Sequence, residues 1–376
     1  MKRFLAAPLL LAGLLPAATL SAVPAHKPTR VSAPRKRTTQ LHKRPQPPPV
    51  DPTEGDNVDG EDLTIRRAAV EALGPVKGSV VVVEPTTGRI LTIVNQKLAL
   101  GSGFIPCSTI KLVTSLAALT EHIVAPDTWI YTNRVARYNM TTALAVSNNQ
   151  YFSTLGNRLG FDRVVKYAQL LGLGEKATLD IDEEQPGTIA PTPPSAGGMG
   201  LMTAYGEGFS VTPLELAALV SAIANGGTLY YLQYPRTEAE AENLVPKIKR
   251  QLDGDIAGIA DIRAGMRGAV DYGTAQRAAG EEDNPIYGKT GTCTDFRFAS
   301  HMGWFASFNE VGTHKLAVVV MLAGGHETSG GAAAGVAGAI YRSLAGQRYF
   351  AATSTQQNAP QFEAAAAGSG AAGDSH

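Results

Sequence analysis

Strand-forming runs stand at both ends of the foldable sequence, and this restricts the architectures open to the chain. Near the start, Ser79–Val83 and Arg89–Val94 flank Pro85-Thr86-Thr87-Gly88, a turn that makes them a hairpin. Near the finish, Ile286–Cys293, His301–Phe308 and Lys315–Leu322 are three further β-runs. Short polar connections join them, which favours antiparallel order. A short helix is expected over Ile65–Leu73 and a small-residue helix over Ala332–Leu344. Between the two β regions lies a long, mostly helical middle. Its clearest helix start is Thr212-Pro213-Leu214-Glu215, with Thr as N-cap, Pro at the first helical position and Glu three after the cap. Gly226-Gly227 ends that helix. The fold class expected is α+β: an antiparallel five-stranded sheet flanked by helices, with a mostly helical insertion.

Both termini read as lying outside this fold. Residues 1–25 start with Met-Lys-Arg, continue through an apolar run from Phe4 and end in small residues around Ala22 to Ala25. They read as a secretory signal peptide, with an uncleaved membrane anchor as the alternative. Export to the periplasm or the outer face of the cytoplasmic membrane follows from either. Residues 26–62 read as a disordered spacer. It is first basic and Pro-rich, with seven Lys/Arg and no acid over His26–Val50, then acidic, with six Asp/Glu over residues 51–62. Opposed charge blocks with little apolar surface cannot offset the entropy of ordering. The Ala/Gly/Ser/Gln-rich tail, residues 347–376, reads the same way. That leaves residues 63–346 as one catalytic-sized domain.

With 33 Lys+Arg against 33 Asp+Glu, the chain lacks the basic excess of a nucleic-acid binder. Two Cys exclude a disulfide-rich scaffold and a Cys-based zinc cluster. His122, His301, His314 and His326 are scattered without ligand spacing, so no metal and no cofactor is expected.

Three separated motifs carry chemistry. In Cys107-Ser108-Thr109-Ile110-Lys111, the apolar residues Ile110, Val113, Leu116 and Ala117 follow helical spacing. A helix therefore begins near Ser108, and Lys111 lies beside the serine on one face. A serine hydroxyl attacks only when a neighbouring base takes its proton. A lysine can be that base if burial and nearby positive charge lower its pKa. Taken alone, Ser-x-x-Lys equally fits an ordinary amphipathic helix. Ser147-Asn148-Asn149 falls between the helical stretches Thr141–Val146 and Tyr151–Leu159. Such a break either aims Ser147 and Asn149 into a cleft or merely caps the next helix. Gly288-Lys289-Thr290-Gly291-Thr292 lies on a β-run. A glycine inside a strand often marks close approach of a ligand; Lys289 with two hydroxyls suits a carboxylate, the alternative being an ordinary solvated lysine on an edge strand. A phosphate loop is excluded, because the glycine required five residues before Gly288 is Asp283.

In this order the three motifs form the Ser-x-x-Lys, Ser-x-Asn, Lys-Thr-Gly set of penicillin-interacting serine enzymes. The chain resembles the transpeptidase domain of penicillin-binding proteins over nearly all of residues 65–346. Val82-Val83-Glu84-Pro85-Thr86-Thr87-Gly88-Arg89-Ile90-Leu91 is similar to the family's first hairpin. Tyr205-Gly206-Glu207-Gly208 with Val211-Thr212-Pro213-Leu214-Glu215-Leu216-Ala217 is similar to another family segment. So are Gly265–Val270 with Gly273-Thr274-Ala275, and Gly303-Trp304-Phe305.

The resemblance implies a serine D,D-transpeptidase or D-Ala-D-Ala carboxypeptidase, with peptidoglycan stem peptides and β-lactams as partners. It also implies association with the membrane or cell-wall machinery. Ser108 would attack the D-Ala-D-Ala carbonyl to give an acyl-enzyme, and Lys111 would take its proton. Ser147 would relay a proton to the leaving amine, and Asn149 would orient substrate and Lys111. Lys289 would supply positive potential, Thr290, Gly291 and Thr292 would line the substrate side, and the N–H groups of Ser108 and Thr292 would form the oxyanion hole. The short stretch from Asn95 to Ile105 and Pro106-Cys107-Ser108-Thr109 are also similar to class D β-lactamases. Those enzymes usually carry an apolar residue where Asn149 stands and often an aromatic one in place of Thr292. β-Lactam hydrolysis is thus the alternative activity, and a non-catalytic β-lactam or muropeptide sensor a third. The resemblance also places Cys107 and Cys293 near one cleft, where they are either disulfide-bonded or two small buried thiols.

Overall fold

The structure, a computed structural model, describes residues 51–351 apart from 253, 281–283, 298, 311 and 313. The segments expected at 1–25 and 26–50, and the tail from 352, lie outside the described residues.

The chain's two β regions join into one antiparallel sheet. Its strands are β1 (Gly78–Glu84), β2 (Arg89–Val94), β3 (Ile286–Asp295), β4 (Ser300–Asn309) and β5 (Ala317–Gly324). Their order is β2-β1-β5-β4-β3, so the first and last strands of the sequence are neighbours, with Val81 opposite Val319. β3, which carries Lys289, is an edge strand paired only with β4. Alternate side chains of a strand leave on opposite faces, and here both faces are covered. Val80 and Val82 join Leu73, Ile340 and Tyr341 in one core, while Val81 and Val83 join Leu112, Leu214 and Phe152 in the other. That is why the valine run in β1 shows no polar alternation.

The first core is closed by α1 (Leu63–Leu73) and the C-terminal helix Gly330–Gly346. The second is built by the helical middle: α2 (Lys111–Thr120), α3 (Met140–Ala145), α4 (Asn149–Leu159), α5 (Phe161–Leu170), α6 (Gly198–Tyr205), α7 (Pro213–Asn225) and α8 (Ile259–Asp271). The C-terminal helix is then α9. The expected start at Thr212 is present as a reciprocal cap: Glu215 N–H donates to Thr212 Oγ1 at 3.0 Å, and Thr212 N–H donates to Glu215 Oε2 at 2.7 Å. Three two-stranded ribbons interrupt the middle, at Ile130–Tyr131 with Arg137–Tyr138, Thr188–Ile189 with Phe209–Ser210, and Thr228–Tyr230 with Ile248–Gln251.

The acidic half of the expected spacer is corrected by the structure. Asp56 and Glu61 each form a 2.8 Å ion pair with Arg66, whose side chain is 10% exposed. Glu61 Oε2 also accepts from Thr92 Oγ1 (2.7 Å), and its Oε1 accepts Ile93 N–H (2.9 Å) and the Tyr234 hydroxyl. Asp62 caps α1 through Thr64 N–H and Ile65 N–H at 2.9 and 3.0 Å. Composition treats such acids as solvated, whereas here a single arginine and the free N–H groups along β2 satisfy them. At the other end, Tyr349 donates to Asp62 at 2.9 Å and Phe350 is buried, so the packed domain continues past residue 346.

Candidate active site

The site forms where α2, the α3–α4 break and the edge strand β3 meet. Ser108 lies in a 3-10 turn, Cys107–Ile110, that runs directly into α2, rather than in the α-helix itself. In a 3-10 turn side chains three apart eclipse, which aligns Lys111 with Ser108 more closely than α-spacing would. Lys111 Nζ is 3.0 Å from Ser108 Oγ. The same nitrogen contacts Ser147 O at 2.8 Å, Ser147 Oγ at 2.9 Å and Asn149 Oδ1 at 2.6 Å.

These contacts are compatible with a neutral amine. Ser147 O and Asn149 Oδ1 can only accept, and the Asn149 amide is fixed in this sense because its Nδ2 donates to Tyr205 Oη at 2.9 Å. A neutral lysine offers two N–H groups to those acceptors and leaves its lone pair for a hydroxyl hydrogen from Ser108 or Ser147. Burial, and then the neighbouring Lys289, push the Lys111 pKa down to about 6. The Phe152 ring lies 5.5 Å below the nitrogen and adds apolar surroundings.

The tripeptide Ser147-Asn148-Asn149 combines the two readings of it. Ser147 sits in the left-handed region (φ 56°), turning its side chain toward Lys111. Asn148 is the N-cap of α4, accepting Tyr151 N–H at 2.8 Å, and Asn149 is the first helical residue. Lys289 is fully buried and donates to Ser147 Oγ and Thr290 O, each at 2.9 Å. It therefore lies beneath the cleft rather than on a solvated strand edge. Burial lowers its pKa to about 7. A hydrogen-bonded chain thus runs from Ser108 through Lys111 and Ser147 to Lys289.

Thr290 Oγ1 shares a hydrogen with Thr274 Oγ1 at 2.5 Å, and Thr292 Oγ1 accepts from Gly330 N–H at 2.8 Å. Gly291 is required by close approach: a Cβ there would lie 2.9 Å from Pro106 O and 3.2 Å from Cys107 Cβ. Cys107 and Cys293 form a disulfide between the turn and β3. Ser108, Ser147, Asn149, Thr290 and Thr292 line one cavity of about 220 Å³. All eight residues singled out by the three motifs are therefore brought together.

Sequence reasoning did not single out Thr274 and Gly331, which line the same cavity, or Tyr205, which orients Asn149. Thr274 and Tyr205 stood in segments quoted only for their resemblance, and no spacing linked them to the motifs. A second cavity of about 450 Å³ opens where β3 continues past Thr292, lined by Ile105, Glu207, Phe209, Thr294 and Phe296 among others.

Comparison with known proteins agrees with this geometry. Residues 78–342 match the family model for the penicillin binding protein transpeptidase domain. Stage V sporulation protein D of Bacillus subtilis is 31% identical over 54% of this chain and 34% of its own length. The peptidoglycan D,D-transpeptidase MrdA of Haemophilus influenzae is 23% identical over 73% of this chain and 54% of its own length. This chain thus spans only a third to a half of those relatives. The transpeptidase domain of Burkholderia pseudomallei penicillin-binding protein 3 superposes with a TM-score of 0.65, at 20% identity, covering 77% of this chain and 96% of that one.

Proposed function

Because the chain belongs to the penicillin-binding protein transpeptidase family, we propose that it is a serine D,D-transpeptidase or carboxypeptidase acting on D-Ala-D-Ala stem peptides through an acyl-enzyme on Ser108. The observation that carries this reading is the 3.0 Å contact between Ser108 Oγ and the buried Lys111 Nζ, whose pKa burial pushes down to about 6. Lys111 takes the Ser108 hydroxyl proton as Oγ bonds to the penultimate D-Ala carbonyl carbon. The N–H groups of Ser108 and Thr292 hold the resulting oxyanion, a contribution of ~3 kcal/mol for a typical donor. The C–N bond then breaks, and the proton passes from Lys111 through Ser147 to the leaving amine of D-alanine. Lys289, in its protonated form, places positive potential beside Ser147 and the substrate carboxylate, which Thr290 and Thr292 receive.

An amine acceptor resolving the acyl-enzyme yields a crosslink, and water yields a shortened stem peptide. Both outcomes share every step up to acylation. The polar Asn149 at the third position of Ser-x-Asn supports penicillin capture over class D-like hydrolysis. We place the enzyme outside the cytoplasm, at the outer face of the membrane or in the periplasm. A disulfide among its cysteines suits that oxidising setting. Work alongside other cell-wall enzymes there belongs to the same proposal.

A fluorescent penicillin incubated with the protein and with Ser108→Ala tests the reading. A covalent adduct on the wild type that is lost in the variant is expected. Rapid release of opened β-lactam would replace the proposal with a β-lactamase, and failure to form any adduct would refute it in favour of a sensor.

A further inference from the structure

Resting on the acyl-transfer reading, we propose that the Cys107–Cys293 disulfide is a positioning element that fixes the spacing between the two oxyanion donors, Ser108 N–H and Thr292 N–H. The two cysteines are 186 positions apart in sequence, and each is the immediate chain neighbour of one donor residue. The covalent link therefore passes within one residue of both N–H groups.

Other ties leave this spacing loose. β3 is an edge strand whose ladder hydrogen bonds run on one side, to β4, with Gly330 N–H also donating to Thr292 Oγ1. Among the described residues, no backbone hydrogen bond joins the 107–110 turn to β3. Two side chains of the sheet reach the nearby chain, Trp304 donating to Ile105 O at 3.0 Å and Asp295 accepting Ile105 N–H at 3.5 Å. Both act at Ile105, upstream of the turn; Ser108 reaches β3 through the side-chain relay of Lys111, Ser147 and Lys289, which holds its Oγ rather than its N–H. Packing of Gly291 against Pro106 and Cys107 keeps the segments close. Cys107 itself has φ 52°, a left-handed backbone that a non-glycine residue adopts only when its surroundings hold it there. An oxyanion hole tolerates little displacement, because its donors must lie about 2.7–3.1 Å from the developing charge.

The consequence is specific. Cutting the disulfide should slow formation of the tetrahedral adduct without weakening the preceding non-covalent complex. A disulfide that served only as a staple would lower thermal stability and leave acylation of the folded protein unchanged. Two preparations separate these roles: the full chain reduced under native conditions, and the Cys107→Ala/Cys293→Ala double variant. In each, stopped-flow acylation by a labelled penicillin resolves the acylation rate constant from the dissociation constant of the initial complex. The reduced wild type keeps the test intact should the double variant fold poorly. The affinity of a boronic acid, which forms a tetrahedral adduct on the serine, is measured in parallel.

The expected result is an acylation rate at least tenfold lower and a boronate affinity lowered in step. The initial dissociation constant should change less than threefold, at a temperature well below each melting point. Removing a whole oxyanion donor typically costs about 10²–10³-fold, so displacing one falls within reach of such a drop. An acylation rate within threefold of the oxidised protein in either preparation overturns the proposal while leaving Ser108 acylation standing. Absence of any adduct on the oxidised wild type overturns both.

Discussion

Replacing Lys111 by methionine is expected to stabilise the protein while abolishing acylation. The lysine is fully buried, and its pKa is pushed down to about 6, first by burial and second by Lys289. In the unfolded chain it titrates near ~10.4. Between those values the unfolded state keeps a proton that the folded state has lost, so stability rises with pH across that window, and the burial costs most below it. At pH 7.5 the unfolded lysine sits about three units below its own pKa; at ~1.36 kcal/mol per unit this opposes folding by about 4 kcal/mol. Methionine occupies similar length without a charge. Its cost is the loss of donors to Ser147 O and Asn149 Oδ1, about 1 kcal/mol each. A net gain of about 2 kcal/mol remains, a rise of roughly 3 °C in a domain of this size. Calorimetric melting of both proteins from pH 6 to 10 provides the assay, with penicillin labelling as the activity control. The gap should be widest at pH 6, close near roughly pH 9 and reverse by pH 10. A variant that melts at or below the wild type at pH 7.5, or a gap indifferent to pH, would refute the reasoning.

Two further expectations follow from charged groups. In the proposed mechanism acylation needs Lys111 neutral and Lys289 protonated, so the rate against pH should rise through about 6 and fall above about 7, these being apparent values of the coupled pair; a rate still rising through pH 9 would contradict this. Arg66→Ala leaves two buried carboxylates without their arginine and should cost about 3–5 kcal/mol, seen as a melting point lowered by roughly 5–8 °C; a drop under about 2 °C would mean that these ion pairs contribute little to the fold.

Much of the architecture was legible because its signals are local. The β-runs and the Thr212–Glu215 cap lie within a few residues of one another, and the structure reproduces them with shifts of one or two positions. The motifs were legible for a similar reason: Ser108 and Lys111 share a turn, and Ser147 and Asn149 share a helix break, so local backbone geometry sets the spacing within each pair. What escaped depended on partners far along the chain. Asp56 and Glu61 look solvated until Arg66 and the N–H groups of β2 are placed beside them. Thr274 is an ordinary threonine until β3 brings Thr290 against it. The packing role of Phe350 was hidden because the alanine-rich tail beyond it dominates the composition of that end. The ribbons, only two to four residues per strand, are too short for any periodicity to register.

The fastening of residues 51–62 also decides where a pull on the domain is felt. Asp62 N–H donates to Leu91 O at 2.9 Å, and Asp56 accepts from the backbone of Asn95 and Gln96 at 3.0 and 2.7 Å, so this segment grips β2 and the turn after it. β2 and β3 are opposite edges of the sheet, four strand spacings or about 19 Å apart. Tension entering at residue 51 therefore loads β2 and the Arg66 ion pairs first. The bed of hydrogen-bonded strands between the two edges spreads that force before it reaches Lys289 and Thr292. A domain anchored at this edge can be tugged from its N-terminal side while the spacing across the cleft on its far edge stays unchanged.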